Sequence, residues 1–352
     1  MADRIYQFDK QQGRQKAWHG KTEIIPDLNL DNNWLRTWDL VPRKTKDADT
    51  GEELPWVYLR CSDNPAIKIG QPYNPSTFQP VNNADFLEMV KASIGGTPHV
   101  VASVGSLRNR GRVFVSIELC GMEKFKAAGR EFGAFLNFGN GHDKSSVLWV
   151  NTSNICTVCD NTFTINLVSV ENKVDLAAKA IFDGTPIDDN LNLRQRHTKN
   201  VKLRLPELAK LIDKAVGVQA EFKLELDKLA EIALPMETAT QVFAGFIGRG
   251  IAKANRRKGL STRGMNTVNR LGQLFLNGRG NRGETYADAF SAVTDYYSHE
   301  SSGRNVDPLK QVISSEYGAG NTAKQDFWRI IRNPETRMAT REIGEELLVN
   351  TN

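Results

Sequence analysis

Phe132 to Leu167 reads FGAFLNFGNGHDKSSVLWVNTSNICTVCDNTFTINL, and the fold of the N-terminal half turns on it. A strand-like run, Phe132–Phe138, meets the turn cluster Gly139-Asn140-Gly141-His142-Asp143-Lys144, and a second run, Val147–Val150, follows at once. Two short β-rich runs around an Asn/Gly/Asp cluster predict a hairpin. After Val158-Cys159, Asp160 or Asn161 is placed to cap a helix-compatible tail. The sheet of the N-terminal half is expected to assemble around this hairpin.

Upstream, Trp34–Val41 reads as a strand and Pro55–Arg60 as its partner, with the charged segment Lys44–Glu53 as an exposed hairpin loop. Pro72, Pro75 and Pro80 exclude a central strand or a helix around them. Asn82 or Asn83 caps a helix to about Ile94, with Phe86, Leu87, Met89 and Val90 on its buried face. A second hairpin pairs Val100–Leu107 with Val113–Leu119 across Arg108-Asn109-Arg110-Gly111-Arg112. The turn has no need of Arg108, Arg110 and Arg112, and three like charges so close repel one another unless an anion neutralises them. They read as phosphate contacts or as a solvated tip. Met122–Ala128 is helix-compatible. Trp18, beside His19, either pins the N-terminal arm or stacks on a base.

Downstream, Asn190–Arg204 reads as an edge strand whose exposed face carries Arg194, Arg196, His197, Lys199, Lys202 and Arg204. The charges protect an edge from aggregation and also suit an anion. From Pro206 helical spacing takes over, through Leu208, Leu211, Ile212, Ala215, Phe222, Leu226, Leu229 and Ile232. Further helices are expected after Pro235, after a Ser261 or Thr262 cap, and over about 285–299, 323–331 and 335–348. The fold class is α+β: an N-terminal antiparallel, hairpin-rich sheet with packed helices, residues 1–205, then a mostly helical half, 206–352.

Charge is unevenly spread. The net charge is +5 over 352 residues, yet Thr238–Gly283 has no Asp or Glu and carries Arg249, Lys253, Arg256, Arg257, Lys258, Arg263, Arg270, Arg279 and Arg282. Such a segment attracts polyanions. At 40% hydrophobic and 25% charged, the composition is that of a soluble globular protein. No run of about eighteen apolar residues predicts a membrane span, and the N-terminal residues lack the apolar core of a secretion signal. A cytoplasmic protein of a bacterial host is expected.

The motifs of catalysis are missing. There is no H-E-x-x-H, no G-x-x-x-x-G-K-[ST] and no G-x-S-x-G. His142-Asp143 falls in a Gly/Asn turn without the further ligands of a metal phosphohydrolase. Of Cys61, Cys120, Cys156 and Cys159, only the last two form a C-x-x-C, which lacks a second ligand pair for zinc; structural thiols are expected. No catalytic residue, metal or cofactor is expected, and a binding protein is favoured over an enzyme.

Several stretches together resemble a phage/plasmid-like family of unknown function carried on bacteriophages, mobile plasmids and prophage remnants. They are Ala17–Gly20, Tyr73 with Val81–Leu87, Ser106–Val115, Phe138–Asp143, Val158–Thr162, Arg196–Thr198 and Tyr296–His299. Lys144-Ser-Ser departs from the family's more usual Gly-Ser. The resemblance implies a mobile-element protein acting on DNA and supplies no catalytic residues. The order of hairpins and helix with basic rims is also similar to that of the phage single-strand annealing proteins of the RecT and Redβ type, an analogy of fold only.

The expected function is single-stranded DNA binding that promotes strand annealing and recombination, without a cofactor. The expected DNA contacts are Arg108, Arg110, Arg112, Arg194, Arg196, His197, Lys199, Lys202, Arg249, Lys253, Arg256, Arg257, Lys258, Arg263 and Arg270. The expected partners are single-stranded DNA, further copies of the chain in a ring or filament, and a phage exonuclease or host replication proteins. The apolar stripe Leu208–Ile232 is a candidate surface between copies. The rival readings are an interaction or counter-defence protein with no nucleic-acid role, and a metal-dependent nuclease.

Overall fold

The structure is a computed structural model, and it describes residues 23–24, 29–107, 110–120, 125–143, 148–156, 162–165, 193–195, 212–251, 253–301, 314–315 and 318–351. The chain is α+β, with two antiparallel sheets in the N-terminal half and mostly helices after them. Its compact units interleave along the sequence. One comprises Met1–Glu123, Ala134–Ser153 and Ile165–Gln219, the other Lys124–Gly133, Asn154–Thr164 and Ala220–Asn352. The expected single division at 205/206 misses this, because hairpin ends from the first half count with the helical unit.

The strands are β1 (Glu23–Ile24), β2 (Leu40–Lys46), β3 (Glu53–Cys61), β4 (Lys68–Tyr73), β5 (Val100–Leu107), β6 (Arg112–Glu118), β7 (Phe125–Ala127), β8 (Arg130–Gly141), β9 (Leu148–Cys156), β10 (Thr162–Ile165) and β11 (Leu193–Gln195). In the larger sheet the order is β1-β5-β6-β8-β9-β10, with β11 on β9 and β7 on β8. The smaller sheet is β2-β3-β4. Pro72 lies in β4, on its edge, where a missing N–H costs least. The helices are α1 (Asn83–Ile94), α2 (Ile212–Glu231), α3 (Met236–Gly248), α4 (Thr262–Asn277), α5 (Tyr286–Asp295), α6 (Ala319–Arg332) and α7 (Pro334–Val349). Among the described residues no helix is long and apolar enough to cross a membrane.

The hairpin expected at 132–150 is present in outline but its turn lies later. Gly139, Asn140 and Gly141 continue β8, opposite Phe114, Val113 and Arg112 of β6. Gly139 is needed there because the Trp149 indole covers it; a Cβ would stand 2.0 Å from Trp149 Cζ2. Asn140 points inward and donates to the Val81 carbonyl at 2.9 Å. The strand ends at His142 and Asp143, whose N–H groups both donate to the Gly111 carbonyl, at 2.8 and 3.2 Å. On the other face a buried polar row crosses three strands. Ser116 Oγ donates to Asn137 Oδ1 at 2.7 Å, and Asn137 Nδ2 donates to Asn151 Oδ1 at 3.1 Å and Ser153 Oγ at 2.8 Å.

Three local expectations are corrected. Trp34 does not begin a strand. Asn33 Oδ1 accepts from Leu35 N at 3.0 Å and starts a 3₁₀ turn, Trp34–Arg36, so the strand opens only at Leu40. Phe125–Ala127 is a strand, not helical. It turns into β8 through Ala128 (φ 49°) and Gly129 (φ 71°), two left-handed residues that match the twist of a two-residue hairpin. Ala128 bears this because its N–H is held by Asp227 Oδ1 at 2.7 Å. Thr162–Ile165 is a strand, where a capped helical tail was expected; Thr-Phe-Thr-Ile is β-branched and aromatic, and that preference wins. Asp160 and Asn161 lie outside the described residues.

In the helical unit Phe222 of α2 is the centre of an aromatic cluster. Its ring centroid lies 5.0 Å from Trp328, 5.9 Å from Phe132, 6.3 Å from Phe290 and 6.4 Å from Phe125. Of the stripe's described side chains, Ala215, Phe222, Leu226 and Leu229 are buried within the chain and Ile232 is half-buried. Helices α3 and α7 meet backbone to backbone. A Cβ on Gly344 would stand 1.7 Å from the Gln241 carbonyl oxygen, and one on Gly245 would stand 1.8 Å from that of Thr340. Ser261 caps α4 through Gly264 N at 3.2 Å, as its sequence position predicts. Thr285 and Asp288 form a reciprocal capping box on α5. Beyond α5 the chain continues as one π turn, Tyr296–Glu300.

Candidate nucleic-acid interface

The arginine hairpin does not present all its charges. Arg110 has φ 66° and is 9% exposed. Its Nη1 donates to both carboxylate oxygens of Asp63, at 2.6 and 2.8 Å. Its guanidinium lies over Trp34 at 4.8 Å and Trp38 at 5.0 Å from the ring centroids. Its carbonyl lies 3.2 Å from His142 Nδ1, while Asn140 Nδ2 lies 3.0 Å from His142 Nε2. Since the amide nitrogen donates to Nε2, the proton sits on Nδ1 and is given to Arg110. Arg110 and His142, the latter 1% exposed, are therefore structural centres, and Arg110 is corrected as a phosphate contact. Arg112 is half-buried in β6, opposite Leu107 and Gly141. Arg108 lies outside the described residues.

Of the cationic strand, only Leu193–Gln195 is described, with Arg194 opposite Trp149. Arg196, His197, Lys199 and Lys202 lie outside the described residues, as does Cys159. Cys61 is buried and Cys120 exposed.

The acid-free segment acquires acids from elsewhere in the chain. Arg249 packs over the Phe246 ring at 4.3 Å and pairs with Asp326 at 3.2 Å. Arg256 pairs with Glu346 at 3.5 Å. Arg270 is held in a fork by Glu300, Nε to Oε2 at 2.6 Å and Nη2 to Oε1 at 2.5 Å. The fork holds Glu300 below its ordinary carboxylate range and raises Arg270. Lys253 and Arg257 belong to the 3₁₀ segment Lys253–Lys258, but their side chains are outside the description. What stays open is a surface along α4. Arg263, Asn266, Asn269, Gln273 and Asn277 are exposed on it, with Lys258 before its start and Arg279 and Arg282 after its end. These four cations make no ion pair among the described residues, although Arg279 lies close enough to Asp295 to act on its carboxyl. Arg279 and Arg282 were not among the expected contacts, although they share the acid-free run.

Asp295, at the end of α5, stands near this surface. Burial first, then the charge of Glu300, raises its carboxyl from 3.8 to about 6, against the pull of Arg270 and Arg279. A raised value in the fold means stability that is complete below about pH 4 and lost as pH climbs through 6. Asp295→Asn is expected to remove that loss. It should stabilise the protein at pH 7 by about 1–2 kcal/mol, allowing for the site's partial contact with water, and give no gain at pH 4. Urea unfolding of both proteins at the two pH values checks this; equal gains at both would refute the assignment.

A second cationic surface lies in the other unit, on the smaller sheet. Register sets Arg43 opposite Tyr58 and Arg60 opposite Lys68, while Leu40, Leu59, Cys61 and Ile69 fill the opposite, buried face. Sequence reading passed over it because its cations come from three strands and no two are adjacent. Among the described residues no group of three or more His, Cys, Asp or Glu stands together to hold a metal. Comparison with protein-family models, with curated proteins and with solved structures finds no match to the chain.

Proposed function

We propose that the protein is a non-catalytic binder of single-stranded DNA that serves strand annealing in a phage or plasmid. The observation that carries the reading is the outer surface of α4, where exposed amides stand with four cations that make no ion pair among the described residues. Amide side chains and arginines bind phosphates and sugars without fixing sequence, and annealing needs a grip of that kind. The resemblance of the motifs to phage/plasmid-like proteins supports the same reading. The helix has 16 residues, about 24 Å at 1.5 Å per residue, so cations at its two ends suit an extended strand.

Each phosphate contact contributes about −0.7 to the slope of log affinity against log salt for single strands. Replacing Arg263, Arg279 and Arg282 with alanine is expected to flatten that slope by about 2. An unchanged slope would remove this surface from the site. Electrophoretic shifts with single- and double-stranded oligonucleotides, with and without magnesium, separate the rival readings. A shift without cleavage supports the proposal, magnesium-dependent cleavage supports a nuclease, and no shift supports an interaction protein.

A further inference from the structure

The outer face of the three-stranded sheet joins aromatic rings to unpaired cations. Tyr58 stands on this face opposite Arg43, and Trp56, two residues before it on β3, is exposed where the pairing with β2 slips between Lys44 and Lys46. Trp56 is 45% exposed, the most open tryptophan among the described residues. The Tyr58 ring has the Arg60 guanidinium carbon 5.1 Å and the Lys68 nitrogen 5.4 Å from its centroid. The Arg60 guanidinium beside the phenol, with the charges of Lys68 and Arg43, holds Tyr58 below its usual value. Arg60 also donates to the Pro65 carbonyl, which fixes its plane. Arg43, Arg60 and Lys68 make no ion pair among the described residues, and Lys44, on the other face, pairs with Glu53.

An exposed indole offers a flat apolar face to a ligand, and three cations on one small face repel one another unless an anion lies between them. A base and its phosphate meet both needs. We propose that this face is a base-stacking platform for single-stranded DNA, in which Trp56 and Tyr58 each take the flat face of a base and Arg43, Arg60 and Lys68 hold the adjoining phosphates. A duplex keeps its bases stacked on each other and has no free faces to offer. The inference deepens the function proposed above, adding recognition of bases to recognition of charge.

Three probes test it at one salt concentration: an oligodeoxythymidine, a duplex of equal length, and a deoxyribose-phosphate strand of equal length without bases. The double variant Trp56→Ala, Tyr58→Ala is expected to lose affinity for oligodeoxythymidine by on the order of tenfold to a hundredfold. Its affinity for the baseless strand and the duplex should not change. The conservative Trp56→Phe should keep most of the affinity but lose the quenching of indole fluorescence that oligodeoxythymidine causes in the parent. An equal loss on the baseless strand, or undiminished binding of oligodeoxythymidine, would overturn the platform alone. A parent protein that binds none of the three overturns the functional reading as well.

Discussion

Replacing Arg130 with alanine is expected to cost the helical unit about 3–5 kcal/mol of stability. Arg130 is 6% exposed and Asp288 is 5% exposed. The arginine bonds the Asp288 carboxylate, the Asn281 side chain at 3.0 Å and the carbonyls of Gly280 and Ala287 at 3.1 and 3.4 Å. Asp288 spends its second oxygen on the cap of α5, accepting from Glu284 N, Thr285 N and Thr285 Oγ. Removal of the guanidinium leaves a buried carboxylate without its cation and takes a donor from Gly280 O and Asn281 Oδ1. The pair itself adds little against a well-packed apolar pair; breaking it is what costs. Urea denaturation gives the number. A loss under about 1 kcal/mol would mean that water reaches the site and that burial overstates its isolation.

Gly344→Ala is the second large effect. In an open helix the change would gain up to about 1 kcal/mol. Here the new methyl carbon would meet the Gln241 carbonyl at 1.7 Å, and a backbone oxygen cannot rotate aside as a side chain can. Helices α3 and α7 would have to separate, which also loosens Gly248 against Leu347. A net loss of about 2–3 kcal/mol is expected. Gly217→Ala is the control, since that glycine lies within α2 with nothing within 4 Å of the added carbon. It should stabilise by about 0.5–1 kcal/mol. Opposite signs for the same substitution separate packing from propensity, and like signs would dissolve the proposed close approach.

The helical half was legible because its signals are local. Apolar spacing and a capping serine suffice to place α4, and Asn82 with Gly95 brackets α1. The hairpin of β5 and β6 was legible from alternation. What misled was chemistry that depends on distant partners. Gly139-Asn140-Gly141 has the composition of a turn, yet Trp149 needs the first glycine and Val81 takes the asparagine. Trp34 has strand propensity, but Asn33 bends the chain and both tryptophans close on Arg110. The longest acid-free run looked uniformly cationic in one dimension. Asp326, Glu346 and Glu300 then return to three of its arginines, and no window of sequence contains both members of those pairs. The cations of the small sheet failed to register for the converse reason, being assembled only by strand pairing.

The π turn at Tyr296–Glu300 sets a counting constraint on Arg270. An α-helix advances about 100° per residue, and a π turn holds one residue more than the winding it interrupts. Rewinding Tyr296–Glu300 as ordinary α-helix at its present length would carry Glu300 about 100° round the axis, out of reach of the guanidinium it now holds. The charge displayed on α4 would rise by one without any change to α4. A chain of this fold with the same length but plain α winding in this one segment would therefore show a more cationic surface, with every arginine unchanged.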